Sequence, residues 1–466
     1  MEINLYLCSK KIQNMYREAF DFLQRWKARQ NRKPLIIRGA RQVGKTFLVE
    51  RFSSEYETYL KINFEENPEY RELFQTNDVK TILTEIGLEF KVKINPEKTL
   101  LFLDEIQTCP EAIPALRYFY EKTPQLSVIA AGSLLDHILN DMNYPMPVGR
   151  VEFLYMYPMS FKEFLIAGGE NMLVDFLSSF VPGESISGVI HNKLLKLLRT
   201  YFFVGGMPEA VKTYFELNDL LEVERVHESI LTSIELDFAK YSKNNQSEYL
   251  RDVFRFVPRG IGKKIKYVNI NSSVKSVYLK DALIKLELSR IIRRIFATSS
   301  ADIPLENNVK ESVYKPLFLD VGLVSHILRV RLKSLENLML LNEGDIAEQF
   351  IGQQLLVRKP FFIDRKLYYW NREKRDANAE IDYLVEIENK IIPVEVKAGK
   401  TGALKSLQVF MAEKKKDFAI RFNTDTPNLT DVEVSVKMGD SVKPVKYRLL
   451  SLPLYMINFL DDLNLS

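Results

Sequence analysis

An α/β fold built around a parallel nucleotide-binding sheet is what this sequence predicts, and three stretches predict it. The first is Pro34–Phe47, PLIIRGARQVGKTF, where the apolar run Leu35–Ile37 leads into Gly39-Ala40-Arg41-Gln42-Val43-Gly44-Lys45-Thr46. That octapeptide fits G-x-x-x-x-G-K-[ST] without a deviation. The second is Thr99–Glu105, TLLFLDE, an apolar strand ending in two carboxylates. The third is the pair of strand-like runs Glu380–Ile387 and Ile391–Val396, which carry acids at facing positions. The expected architecture is a three-layer P-loop NTPase domain over residues 1–170, a helical region over 171–335, and a second α/β domain over 336–466.

Composition agrees with a multidomain globular chain. Its 466 residues suggest about three domains. At 46% hydrophobic and 27% charged, the chain has enough apolar material for a sizeable core. A net charge of +4 is too small to announce a nucleic-acid binder by itself. Cys8 and Cys109 cannot build a disulfide framework or a zinc cluster, and their scarcity fits a reducing compartment. The opening MEINLYLCSKKIQ is too interrupted for a signal sequence, and no run approaches the length of a membrane span. A cytoplasmic protein with no membrane partner is expected. His137, His191, His227 and His326 are scattered, and none reads as a ligand.

In chain order, Met15–Gln30 has apolar residues at helical spacing (Tyr16, Phe20, Leu23, Trp26) and would pack on the nucleotide sheet. In the P-loop, glycines let consecutive N–H groups turn toward phosphate, and the helix starting at Thr46 aims its N-terminus at the same anion. Residues Gly39, Ala40, Arg41, Gln42, Val43, Gly44, Lys45 and Thr46 would cradle ATP, with Lys45 on the β/γ-phosphates and the Thr46 hydroxyl on Mg²⁺. Strand Tyr59–Phe64 and helix Val79–Phe90 follow. Asp104 would then hold Mg²⁺ through water, and Glu105 would polarise the attacking water; two solvated acids at a strand end are the alternative. Leu126–Ala131 ends in Gly132-Ser133, so Ser133 could sense the γ-phosphate or simply fill a tight turn. Arg150, before the strand Val151–Tyr157, could neutralise γ-phosphoryl charge, its own or a neighbouring subunit's, or form a structural ion pair.

The strings RGARQVGKT, LLFLDEIQ, AAGS and GR–(hydrophobic)–YPMSFKEF together resemble the AAA+ ATPases of bacteria and archaea that carry a domain of unknown function 4143. Tyr201–Val211, with GGMPEAV, and Asp237–Tyr241 resemble that family's later landmarks. The resemblance implies an AAA+-like first domain, with an extra strand between the Walker A and Walker B strands for which Tyr59–Phe64 is the candidate. It also implies a winged helix in the middle and a PD-(D/E)xK nuclease-like, restriction-endonuclease-like domain at the end.

The residues themselves support parts of this. Residues 249–296 read as helix, short helix and long helix (Val274–Leu288), then strand Ile291–Phe296 with a return strand at Tyr314–Leu319. That is winged-helix order. Basic residues there, among them Arg255, Lys263, Lys264, Lys275, Lys280, Lys285, Arg290, Arg293 and Arg294, would suit DNA, while a protein partner, self-association or a solvated face are the alternatives. After a helix opened by Gly344–Phe350, a two-residue turn at Glu388-Asn389 would set Asp382 directly opposite Glu395, with Lys397 on the same face. Glu348, Asp382, Glu395 and Lys397 resemble a nuclease core whose acids hold Mg²⁺ and whose lysine orients water; Ile381 stands where that pattern has proline. A charged surface hairpin, or a fold that no longer cuts, is the other reading. The expected function is ATP hydrolysis coupled to a DNA- or protein-directed C-terminal half, with an ATPase-regulated Mg²⁺-dependent endonuclease and a nucleotide-switched binding module as alternatives.

Overall fold

The computed structural model describes residues 15–140, 146–241, 246–330, 343–372, 378–397, 404–438 and 441–463. The expectations for Cys8 and for the opening thirteen residues lie outside them.

Strands β1 (Leu35–Arg38), β2 (Thr58–Asn63), β3 (Thr99–Asp104), β4 (Ser127–Gly132) and β5 (Glu152–Tyr155) form a parallel sheet in the order β2-β3-β4-β1-β5. Every residue of β3 and β4 is buried, as expected of central parallel strands covered on both faces. The strand between the P-loop strand and the Asp104 strand is therefore β4. This corrects the assignment of Tyr59–Phe64 to that position: the run forms β2, at the sheet edge beyond β3. Its burial alternates, with only Leu60 and Ile62 buried within the strand, which suits an edge. The Glu18–Ala28 helix buries Ala19, Leu23 and Trp26 against the core shared with β1 and the Lys45–Phe52 helix.

After the Asn171–Ser178 helix, the middle segment continues with the helices Gly188–Val204, Pro208–Leu217 and Leu220–Tyr241. The turn between the first two is fixed by close approach. A Cβ on Gly206 would lie 2.2 Å from the Met159 carbonyl oxygen, and one on Gly205 would overlap the Asp320 carboxylate. Gly206 N donates to Asp320 Oδ2 at 2.7 Å, and Met159 N donates back to Gly206 O at 2.6 Å. GGMP thus joins the end of the ATPase domain to the later helix Val321–Ile327.

Helices Gln246–Phe256, Tyr267–Ile270 and Ser276–Leu288 lead into the antiparallel pair β6 (Ile292–Thr298) and β7 (Val309–Phe318), in the anticipated order. These strands also extend a much larger sheet. With β8 (Leu367–Arg372), β9 (Ala379–Ile387), β10 (Lys390–Val396), β11 (Phe418–Asn423), β12 (Asn428–Met438) and β13 (Ser441–Pro453), they form eight strands in the order β12-β13-β11-β10-β9-β8-β6-β7. The boundary expected at 335/336 therefore falls between strands of one sheet. The Glu343–Leu356 helix seals the junction with buried amides: Gln349 exchanges hydrogen bonds with both Phe318 N and O, and Gln353 accepts from Val321 N and donates to Asp320.

Candidate functional site

The P-loop leaves β1 at Arg38 and reaches the Lys45–Phe52 helix through Gln42 at φ 62° and Gly44 at φ 90°. Positive φ at these positions curls successive amides into an anion-binding concavity. Lys45 is buried, and its Nζ donates to the carbonyls of Gly39 at 3.0 Å and Ala40 at 2.8 Å. Burial pushes its pKa down to about 8, against the opposing pull of Glu105 and Asp104. Thr46 Oγ1 donates to Asp104 at 3.1 Å and 3.3 Å from the two carboxylate oxygens. Burial, and next the neighbouring Glu105, raises the pKa of Asp104. A hydroxyl and a carboxylate in contact are hard oxygen donors, the chemistry that suits Mg²⁺.

Glu105 follows with φ 50°, in the left-handed region, so the chain turns sharply at the strand end. Gln107 Nε2 donates to Glu105 Oε2 at 2.5 Å. The Gln107 amide oxygen fills the space where a Cβ on Gly132 would stand. Ser133 is buried, and because Gly132 pairs with Arg38 it lies at the same sheet edge as Gly39. Lys45, Thr46, Asp104, Glu105 and Ser133 are thus brought together. Arg150 is not. It precedes Glu152, which pairs with Leu35 at the start of β1, and its Nε donates to Glu121 on the surface at 2.9 Å. About 13 Å of strand separates that end from the P-loop edge.

Several contacts around the loop join residues that spacing did not link. Buried Arg17 donates to Val43 O at 2.6 Å, to Tyr157 O at 2.7 Å and to Glu163 at 3.2 Å, bracing the loop from behind. Arg41 pairs with Asp237 and Glu65, and Lys240 lies 3.0 Å from Glu65 and 3.4 Å from Asp237. The Asp237–Tyr241 landmark therefore meets the P-loop directly. Asp136, just past Ser133, receives both Arg38 and buried Arg290, and Arg290 continues to Asp364 at 3.0 Å. His137 Nε2 meets Ser289 Oγ at 2.8 Å beside them.

In the last domain, Glu388 and Asn389 take φ 48° and 60° and form the expected two-residue turn. The pairing runs from Lys390↔Ile387 to Val394↔Tyr383, so Asp382 and Glu395 are the next facing residues. Asp382 Oδ2 accepts from Val396 N at 2.8 Å, and Lys397 Nζ lies 2.5 Å from Glu395 Oε1. Glu348 is buried and pairs at 2.8 Å with Lys315 from β7, which also pairs at 2.6 Å with Glu380. Burial pushes the pKa of Glu348 up to about 8 and that of Glu395 up to about 7. Among the described residues, no three His, Cys, Asp or Glu side chains gather as a metal-binding set. Glu348, Asp382 and Glu395, expected to share a Mg²⁺, thus stand near one another with two of the three engaged by lysines. Glu348 is committed to Lys315 and Glu395 to Lys397.

The basic residues of the middle segment divide similarly. Arg255 is held by Glu235, Lys263 by Asp345, Lys285 by Asp281, Arg294 by Glu287, and Arg290 and Arg293 by Asp364. Lys275, capping the Ser276–Leu288 helix, and Lys280 in its second turn remain exposed, beside exposed Val277 and a Tyr278 ring stacked on Tyr249 at 5.5 Å.

A five-stranded parallel sheet with this strand order, a complete P-loop and a Thr46–Asp104 contact at one edge define an AAA-type P-loop ATPase domain. Family models match an AAA domain over residues 31–165, a domain of unknown function 8612 over 195–334 and a domain of unknown function 4143 over 343–455. The chain thus carries an AAA domain followed, toward its C-terminal end, by a domain of unknown function 4143. Among solved structures it is similar to the Walker-type ATPase PABY2304 of Pyrococcus abyssi (16% identity, 68% of this chain and 96% of that one, TM-score 0.43). It is also similar to the Aeropyrum pernix ORC2 protein in ADPNP–ADP complexes (12% identity, 68% and 93%, TM-score 0.34) and to AMPPCP-bound DnaA from Aquifex aeolicus (14% identity, 59% and 88%, TM-score 0.26). A comparison with curated proteins finds no match. No helix among the described residues is long and apolar enough to cross a membrane.

Proposed function

We propose that this protein binds ATP with Mg²⁺ and hydrolyses it to ADP and phosphate, using the cycle to act on a DNA or protein partner. The observation that carries the reading is the Thr46–Asp104 contact beside buried Lys45 and Glu105. In this reading Thr46 and Asp104 hold the metal, which when bound neutralises charge on the β- and γ-phosphoryl oxygens. The amides of residues 39–46 cradle the phosphates, and Lys45 exchanges its two loop carbonyls for phosphate oxygens. Glu105 accepts a proton from the attacking water, oriented by Gln107, and Ser133 contacts the γ-phosphate. Arg150, paired with Glu121 on the surface, would act only on a neighbouring subunit's nucleotide. Lys45→Ala should abolish ATP binding in a calorimeter, while Glu105→Gln should bind ATP normally and lose turnover by at least a hundredfold. Normal hydrolysis by the Lys45→Ala chain would end the assignment.

A partner-directed output is supported by the contacts between Arg41 and Asp237 and between Asp136 and Arg290, which link both flanks of the nucleotide edge to the middle segment. DNA is the partner we propose, because Lys275 and Lys280 are exposed on a helix whose neighbours are arranged in winged-helix order. A nuclease-like ancestry of the last domain is supported by its helix–β8–β9–β10–helix–β11 succession, with β11 parallel to β10.

A further inference from the structure

We infer that Lys315 is the resident cation of the C-terminal acid cluster, which makes the cluster an ammonium-binding lock between the middle segment and the last domain. The inference rests on the nuclease-like reading only in expecting a metal there, and the two can be tested apart. Two carboxylates, those of Glu348 and Glu380, meet on Lys315, while Asp382 accepts from Val396 N and Glu395 pairs with Lys397. The Lys315 side chain is 2% exposed, and its Nζ reaches Glu348 at 2.8 Å and Glu380 at 2.6 Å. The ammonium also sits 5.1 Å from the centre of the Tyr369 ring. These are hydrogen-bond lengths, with two acidic oxygens and an aromatic face around the Lys315 ammonium.

The middle segment also covers the cluster. Gly262, at φ 70°, comes so close that a Cβ there would lie 3.0 Å from Asp345 Oδ1 and 3.1 Å from Glu348 Oε2. Lys263 pairs with Asp345 at 3.2 Å, and Lys264 bonds Asn371 at 2.8 Å and approaches Glu380 at 3.5 Å. Ile265 N donates to Tyr314 O at 3.1 Å, tying this loop to the strand that delivers Lys315. Loop and strand therefore close the site together. A Mg²⁺ at this position would need octahedral oxygens at about 2.0–2.1 Å and would face an adjacent ammonium it repels. A metal taking Glu348 would have to displace it from Lys315. Lys315 lies on β7, paired with Ile295 of β6, so any movement of the β6–β7 pair away from the Glu343–Leu356 helix would carry the ammonium out.

The test uses the full, nucleotide-free chain with Mn²⁺ as the probe, read by calorimetry. The wild-type chain should show no Mn²⁺ binding that Asp382→Asn removes. Lys315→Ala should gain one such site, at least tenfold tighter, which the added Asp382→Asn change abolishes. Stoichiometric, Asp382-dependent Mn²⁺ binding by the wild-type chain would overturn the lock. Should Lys315→Ala fail to fold, amine acylation of the wild-type protein, mapped by mass spectrometry, decides the matter. Lys315 should label at least tenfold more slowly than exposed Lys263, and equal rates would overturn the inference. Duplex cleavage by the Lys315→Ala chain reports separately: Mn²⁺ bound without cleavage removes the nuclease reading and leaves the lock standing.

Discussion

His227 is fully buried on the Leu220–Tyr241 helix, where Nε2 donates to Val204 O at 2.9 Å. Burial holds its pKa down at about 4, so the folded chain keeps the ring neutral. Because the folded value lies below that of a free histidine, the stability this residue contributes is present above pH 6.5 and is lost as pH falls toward 4. The linkage amounts to about 3 kcal/mol at most. Urea denaturation at pH 7, 5.5 and 4.5 should show that loss in the wild type and a flatter profile in His227→Gln; parallel profiles would refute it. At the nucleotide edge, Gln107→Ala frees Glu105 and should lower turnover about tenfold with ATP affinity unchanged. A fall in affinity instead would mean that Gln107 supports the loop and does not orient Glu105. Lys45, Thr46, Asp104 and Glu105 were legible because each is tied to a fixed spacing or a strand end. Gln107, Arg17 and Asp136 were not, since their roles depend on neighbours distant in the chain or on a turn whose geometry the residue types do not announce.

At the scale of elements, the GGMP turn shows how close packing can hide behind an ordinary punctuation signal. Gly205 and Gly206 read as a break between helices, and they are one, but the break is also the contact point for Met159 and Asp320. Gly206→Ala should cost about 2–4 kcal/mol in chemical denaturation, because the methyl group would collide with backbone that other strands and helices fix. A variant within 0.5 kcal/mol of wild type would show that the turn can open (about the scatter of surface substitutions). The Ser276–Leu288 helix invites a second test. Lys275→Glu/Lys280→Glu should weaken duplex binding and flatten its salt dependence by about two counterions, with stability unchanged. Unaltered binding would remove this helix as the DNA contact. Lys285 belongs in a different class, since it is paired with Asp281 and bonded to Gln246.

Across the whole molecule, the strands between Ile292 and Pro453 share one eight-stranded sheet, and charged chains run from it to the nucleotide edge. Asp364 is central to one of them. Although burial opposes its ionisation, Arg293 and Arg290 hold its pKa down at about 2. Asp364→Ala would remove the carboxylate of Arg293 and leave buried Arg290 with Asp136 alone, and should destabilise the fold by about 2–3 kcal/mol. The loss should be seen as a single lowered transition in calorimetry. Melting of the ATPase domain at an unchanged temperature would show that the segments are energetically independent.

The sequence by itself determined the local features: the P-loop, the apolar strands that end in acids, the helix–helix–helix–strand succession, and the hairpin that faces Asp382 with Glu395. Each rests on spacing of a few residues, where backbone periodicity and turn chemistry are decisive. Only the tertiary structure decided that β4 lies between β1 and β3, that Arg150 stays away from its own P-loop, and that one sheet spans the expected domain boundary. It also put Lys315, a charge inside the apolar run Tyr314–Phe318, among acids that follow it by 33 to 80 residues in the chain. Such pairings are settled by which surfaces must be buried together, and a buried charge takes whatever partner that packing brings within reach.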